Sequence, residues 1–300
     1  MNPQLQFLRW LNNQPYILVV LATLFWAGNA VAGKLAVGHI SPFLLTSLRW
    51  FLALVLVAPF AAQTVRSDWG RIRPRIIFLF ALGSIGFTIF NNLMYLALAT
   101  TSAINVAIIQ SSLPLFVFIL NIVFFAVKVN KFQIIGFPIT PVGVVTITFQ
   151  GSLSLLRDLN LNVGDVLMLV AVAAYGIYSV FLKNKPKIHW LSTVMVLTAA
   201  AFISSIPFAI FEGLSGNLIA PDLTGFSVVL YTALFASLGA QAFWIRSIEL
   251  IGSNATSVFI NLVPLFGSVL AVILLGEKFH AFHAFGICLI FAGIYIGRLR

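Results

Sequence analysis

Charge is what this chain has least of. Only 8 % of its 300 residues are Asp, Glu, Lys or Arg, and 7 of them are acids. Soluble domains carry about a quarter charged residues, so a surface bathed in water along the whole chain is excluded. The lone cysteine, Cys288, excludes an internal disulfide. The four histidines, His39, His189, His280 and His283, stand at the ends of apolar runs, and no His, Cys or acid cluster has metal-ligand spacing. There is no Gly-x-x-x-x-Gly-Lys-Ser/Thr, which excludes the usual ATP-binding loop. There is no nucleophile–base spacing either, so an enzyme is not expected, and no cofactor or metal. Short alternating segments of the β-barrel kind are missing. The first apolar run is too long for a cleavable signal peptide and lacks a small-residue cleavage site.

What the chain does have is apolar length. Hydrophobic residues make up 61 % and the mean hydropathy is +1.07. Crossing a hydrocarbon layer takes about 20 apolar residues. Ten such spans can be read: Pro15–Val37, Pro42–Ala62, Arg75–Ala97, Ala103–Val127, Phe132–Leu153, Gly164–Leu182, Trp190–Phe211, Gly225–Ile248, Ser253–Gly276 and Phe279–Arg298. The expected class is an all-α polytopic membrane protein with ten transmembrane helices, and the bilayer is its first partner.

The net charge of +10 does not point to nucleic acid, because the bases sit in short links between spans. With the N-terminus cytoplasmic, the inner side holds Arg9, Arg66, Arg71, Arg73, Arg75, Lys128, Lys131, Lys183, Lys185, Lys187, Arg246, Arg298 and Arg300. The outer side keeps Lys34, Arg157 and Lys278. Cytoplasmic loops are rich in Lys and Arg. The expectation is a multi-pass protein of a bacterial-type cytoplasmic (inner) membrane with both termini cytoplasmic.

The chain also repeats itself. At an offset of 150, Leu113-Pro114-Leu115-Phe116 falls on Val263-Pro264-Leu265-Phe266, and Gly136 and Gly143 fall on Gly286 and Gly293. Such a match divides the chain into two copies, residues 1–153 and 154–300. An odd number of spans per copy makes the second cross in the opposite sense. The result is an inverted repeat of five plus five, an arrangement suited to alternating access with a site between the halves.

Polar groups inside spans usually face the bundle interior or a water-filled cavity. The offset pairs Asn91 with Gln241 and Ser111 with Asn261, and an offset of 149 pairs Trp26 with Tyr175 and Asn29 with Tyr178. Helical spacing places Trp26, Asn29 and Gly33 on one face, and likewise Thr88, Asn91 and Tyr95, Ser237, Gln241 and Trp244, and Ser257, Asn261 and Pro264. The set predicts a central cavity lined by amides, hydroxyls and rings. The alternative is plain interhelical bonding, worth roughly 0.6–2 kcal/mol per contact. Pro114 and Pro264 stand mid-span and should kink their helices, as static bends or as parts of a gate.

Arg49 is the one full charge well inside a span. Three fates are open to it: snorkelling outward, bonding backbone carbonyls, or meeting a substrate carboxylate. Lys34 and Lys278 read as interfacial anchors. Gly293 and Gly297, with Gly136 and Gly143, suit close helix packing, in a monomer or a weak homodimer.

The segment from Ser102 to Lys131 with its Leu-Pro-Leu-Phe core resembles the signature of the EamA branch of the drug/metabolite transporter superfamily. The segment Ala255–Lys278, ending in Gly276-Glu277, resembles it again. The likeness extends to Phe25-Trp26-Ala27-Gly28-Asn29, Lys34, Pro42 and Arg49. The first copy departs from the pattern, with Val127-Lys128 where Gly-Glu is usual. The resemblance implies ten helices, an inverted repeat and export or exchange of small metabolites. Within the family the chain is most similar to YddG-type exporters of aromatic amino acids. The expected cargo is then a small neutral amino acid, aromatic or hydrophobic, moved without ion coupling for want of a mid-membrane acid. Nucleobases, sugars or small drugs are the alternative cargo. A scaffold or membrane enzyme without transport is the alternative of another class.

Overall fold

The computed structural model describes residues 10–125, 132, 135, 136, 138, 139, 142, 143, 146, 151, 152 and 162–298. The fifth expected span, Phe132–Leu153, and Arg157 therefore lie largely outside the described residues. All regular structure among the described residues is helical. The α-helices are α1 (Pro15–Leu35), α2 (Pro42–Ile72), α3 (Ile76–Gly83), α4 (Phe90–Thr100), α5 (Ala103–Gln110), α6 (Leu113–Phe125), α7 (Val163–Phe181), α8 (Trp190–Leu214), α9 (Leu223–Tyr231), α10 (Ala240–Val258), α11 (Leu262–Leu275) and α12 (Ala281–Arg298). Six helical stretches are long and apolar enough to cross a membrane, and Phe259–Leu275 and Ala281–Gly293 are shorter apolar helices.

The second expected span ended at Ala62, but α2 runs on to Ile72. Its extra turns are polar, Gln63 to Asp68, and they carry a carboxylate to a neighbouring helix. Asp68 Oδ2 accepts the His189 N–H at 2.8 Å and the Ser192 hydroxyl at 2.8 Å, at the start of α8. At the far end of α8, Glu212 accepts the N–H groups of Phe43 and Leu44 at 3.1 and 2.8 Å, at the start of α2. Each helix thus supplies an acid to the other's open N-terminal donors, where anions are favoured. The two helices are antiparallel and packed along their length. Pro59 in α2 and Pro207 in α8 occupy the same position counted from the helix start.

Two more irregularities come in pairs. The third and eighth of the expected spans each contain a π-helical stretch, Ser84–Ile89 between α3 and α4 and Thr232–Gly239 between α9 and α10. The fourth and ninth of the expected spans are broken rather than kinked. Ser111 and Ser112 form a turn before α6, and a 3₁₀ turn, Phe259–Asn261, precedes α11. Pro114 and Pro264 stand in the first turn after each break. This corrects the mid-helix kink expected of them: a first-turn residue has no helical acceptor for its N–H, so proline fits there.

Around these breaks α1 packs between α10 and α11, while α4 packs on α7. Gly276 ends α11 in a left-handed conformation, φ 66°, which a side chain would resist. The reversal sends Glu277 back to α5, where it accepts the N–H groups of Ala103 and Ile104 at 2.9 and 3.1 Å. At the offset of 150, the matching positions in the first copy are Ala126 and Val127, which lie outside the described residues.

Candidate functional site

Arg49 does not snorkel. It is 2 % exposed in the middle of the bundle, and α2 delivers it into a ring of neutral acceptors. Its Nη1 donates to Asn91 Oδ1 at 2.7 Å, to Asn29 Oδ1 at 3.1 Å and to the Tyr95 hydroxyl. Its Nε donates to Ser237 Oγ at 2.8 Å, and its Nη2 reaches the Thr232 carbonyl at 3.4 Å. The amides are oriented by their other ends. Asn91 Nδ2 donates to the Phe87 carbonyl and Asn29 Nδ2 to Met94 Sδ at 3.7 Å. Tyr95 passes its own proton to Asn29 Oδ1 at 3.0 Å. Among the described residues no carboxylate touches Arg49. A lone charge at mid-bilayer depth costs about 2.5–3.5 kcal/mol on insertion scales.

The π-helical stretches take part directly. Their i→i+5 pattern leaves carbonyls without the usual α-helical donor. Phe87, in the first stretch, gives its carbonyl to Asn91. Thr232 and Ala236, in the second, give theirs to Arg49 and to Trp26 Nε1, the latter at 3.3 Å.

A continuous chain of rings leads away from Arg49. The guanidinium lies 5.1 Å from the centroid of Trp50, which stacks on Phe87 at 4.7 Å and 7°. Phe87 meets Tyr178 at 5.3 Å, Tyr178 meets Tyr175 at 5.1 Å, and Tyr175 meets Trp26 at 5.9 Å. Trp26 and Trp244 close the chain at 4.9 Å. Tyr175 also directs its hydroxyl at Gln241 Oε1, 3.5 Å away. The rings touch one another in this conformation, where the sequence suggested a hollow. Three buried polar atoms along this path make no hydrogen bond, Trp50 Nε1, Tyr178 Oη and Trp244 Nε1, and neither does Asn261 Oδ1.

Of the residues singled out from sequence, Trp26, Asn29, Arg49, Asn91, Tyr95, Tyr175, Tyr178, Gln241 and Trp244 thus form one connected cluster. Ser111 does not join it by hydrogen bonding: its hydroxyl closes its own turn on the Ile108 carbonyl at 2.6 Å. Asn261 is buried in the turn before α11, which packs on α1. Thr88, expected on the same face as Asn91, bonds outward to the Ala201 carbonyl and Ser204, both at 2.8 Å. Trp50 and Phe87 were not foreseen as part of the cluster. Their adjacency to Arg49 and Thr88 was the one available signal. No group of three His, Cys, Asp or Glu among the described residues could hold a metal ion.

Similarity to known proteins follows the two copies. A family model described as the EamA-like transporter family matches residues 13–149 and 162–297. An uncharacterized transporter of Archaeoglobus fulgidus is 28 % identical over 296 residues, 95 % of this chain and 98 % of that protein. The uncharacterized transporter YetK of Bacillus subtilis is 24 % identical over 287 residues, 95 % of this chain and 87 % of that one. A Salmonella typhimurium protein described as a "Probable amino-acid metabolite efflux pump" is 25 % identical over 291 residues, 93 % of each chain. One crystal structure superposes with a TM-score of 0.66 at 15 % identity, over 95 % of this chain and 96 % of that one, which shows the fold.

Proposed function

From the premise that this chain belongs to the EamA-like transporter family, and so is a membrane transporter, we propose that it exports neutral amino acids with aromatic or hydrophobic side chains. The observation that carries this reading is the unpaired charge of Arg49, held among neutral amides at one end of a chain of rings. A cargo carboxylate supplies the missing anion, as the acceptor of a charge-assisted hydrogen bond from the guanidinium. The Nη2 side, with its single long contact at 3.4 Å, is where it docks. The cargo's side chain inserts between rings that now touch each other, as stacking and edge contacts favour. Of the bare polar atoms, Tyr178 Oη accepts from its ammonium, and Trp244 Nε1 donates to the water that accompanies it.

The protein works as ten spans in two inverted halves, residues 1–153 and 154–300, in a bacterial inner membrane with the basic end and both termini cytoplasmic. The paired π-helical stretches, paired breaks and reciprocal acids of α2 and α8 support that pseudo-symmetry. The spans around Asn91 and Ser111 close one side, and those around Gln241 and Asn261 close the other. No carboxylate or imidazole touches Arg49 among the described residues, which favours movement down the cargo's own gradient. The test is phenylalanine efflux from liposomes containing only this protein, with nucleobases and sugars as competitors. Efflux without an ion gradient is expected, competed by tryptophan and tyrosine. Strict dependence on a proton or sodium gradient overturns the uncoupled mechanism. Competition by nucleobases alone overturns the cargo.

A further inference from the structure

A second group of charges stands at the end of the bundle away from the basic links. A cavity of about 480 Å³ opens there, with Lys34, Ser102, Glu277, Lys278 and Phe282 in its wall. Lys34 Nζ donates to the carbonyls of Leu98 and Thr101 at 2.9 and 2.8 Å. That uses two of its three ammonium protons and ties it to the end of α4. Lys278 is exposed and makes no hydrogen bond or ion pair with the described residues. Glu277, the carboxylate of the wall, is committed to the backbone of Ala103 and Ile104. Asp165 lies behind Thr101, whose hydroxyl it accepts at 2.6 Å. His283 Nε2 faces Asn105 Oδ1 at 3.2 Å, and its Nδ1 accepts the His280 N–H at 3.1 Å. Both ring nitrogens are then used as in a neutral imidazole. Two ammonium groups therefore share the cavity with no carboxylate paired to either.

This group shares two helices with the partners of Arg49. Asn29, which holds Arg49, and Lys34 lie five residues apart on α1, about 7.5 Å of helical rise. Tyr95, which also holds Arg49, and Leu98, which holds Lys34, lie three apart on α4. Between them α1 and α4 touch at Gly33, where a Cβ would come within 2.6 Å of Leu98 and 2.9 Å of the Tyr95 ring. Lys34 is the next cation along α1 toward this end, about 1.4 turns beyond Asn29.

We propose that the cavity is a second binding site for an organic carboxylate, with Lys34 and Lys278 as its cations, the Ser102 hydroxyl as a further donor and Phe282 as a ring face. The amino-acid carboxylate is the natural occupant, and that identity rests on the reading of Arg49 above; the charge of the cavity does not. The site is open to water, so its grip is weak and falls with salt.

The experiment is equilibrium dialysis of 3-phenylpropionate, a carboxylate without an amine, against the purified full-length protein at low salt. Two molecules bound per chain are expected for the wild type and one for Lys278→Ala, a change that touches no partner and leaves the fold intact. Arg49→Gln should keep the Lys278-dependent site, and raising the salt to 0.5 M should release it. If one molecule binds to the wild type and is lost in Lys278→Ala, the cavity site stands and the Arg49 reading fails. Lys278→Ala with the wild-type stoichiometry overturns the cavity site, whatever Arg49→Gln does. So does no binding to the wild type, or Lys278-dependent binding of phenethylamine in place of the carboxylate.

Discussion

Asp68 and Glu212 are reciprocal partners. The first leaves the end of α2 to receive the His189 N–H, and the second leaves the end of α8 to receive those of Phe43 and Leu44. The helix pair is therefore clamped at both ends by acids that each helix lends the other. Partly buried anions at helix N-termini contribute up to about 2 kcal/mol. Asp68→Asn and Glu212→Gln should each lower the melting temperature of the purified protein, and the double variant should show the sum, since the sites lie at opposite ends. A double variant no less stable than either single one would mean that the clamps are not independent.

Arg49→Lys keeps the charge and loses the planar fork. Phenylalanine efflux from liposomes should fall about tenfold or more, equivalent to ~1.4 kcal/mol. Efflux in Arg49→Lys at the wild-type rate would remove the guanidinium from cargo binding.

The two tryptophans of the ring chain differ in one bond. Trp26 Nε1 donates to the Ala236 carbonyl, whereas Trp244 Nε1 has no partner. Trp26→Phe should cost about 0.5–1.5 kcal/mol in unfolding experiments, and Trp244→Phe less, because it removes a buried donor that nothing accepts. Trp244→Ala should be worse than either, by about 3–5 kcal/mol. The order Trp244→Phe below Trp26→Phe in stability would contradict this account.

Gly83 sits where α3 meets α8, and a Cβ there would lie 2.7 Å from the Leu197 carbonyl and 2.7 Å from Ala200 Cβ. Backbone cannot swing aside as a side chain can. Gly83→Ala should destabilise by about 1–3 kcal/mol, while Gly70→Ala, with nothing within 4 Å, should be neutral or stabilising. Equal melting temperatures for the two variants would count against the tight α3–α8 contact.

Asp222 caps α9 through the Gly225 N–H and lies 2.6 Å from His39 Nδ1. The cap, and after it the histidine, hold its carboxyl below the usual carboxylate range. A lowered native value adds stability above the unfolded value, near pH 4, and that stability is lost as pH falls through the native value. The melting temperature of wild type should exceed that of Asp222→Ala at pH 6, and the gap should close toward pH 3. A gap that widened on acidification would reverse the sign of this linkage.

Composition and spacing carried much of this protein. Apolar runs of spanning length leave no alternative to helices, because backbone groups in lipid must bond within their own segment. The repeat was visible because Pro114 and Pro264 stand in near-identical contexts at a fixed offset, and helical periodicity grouped Asn91 with Tyr95 and Gln241 with Trp244. The tertiary structure alone decided what Arg49 does, since Asn29, the pair Asn91 and Tyr95, and Ser237 reach it from three separate segments that no local pattern connects. It also decided that the third and eighth spans widen into π-helix, a change of one backbone bond with no residue signature, and that Asp68, Glu212 and Glu277 serve helices other than their own. Hydropathy records how each segment meets lipid. Which donors face which acceptors depends on how the segments turn toward one another, and that is settled only when they pack.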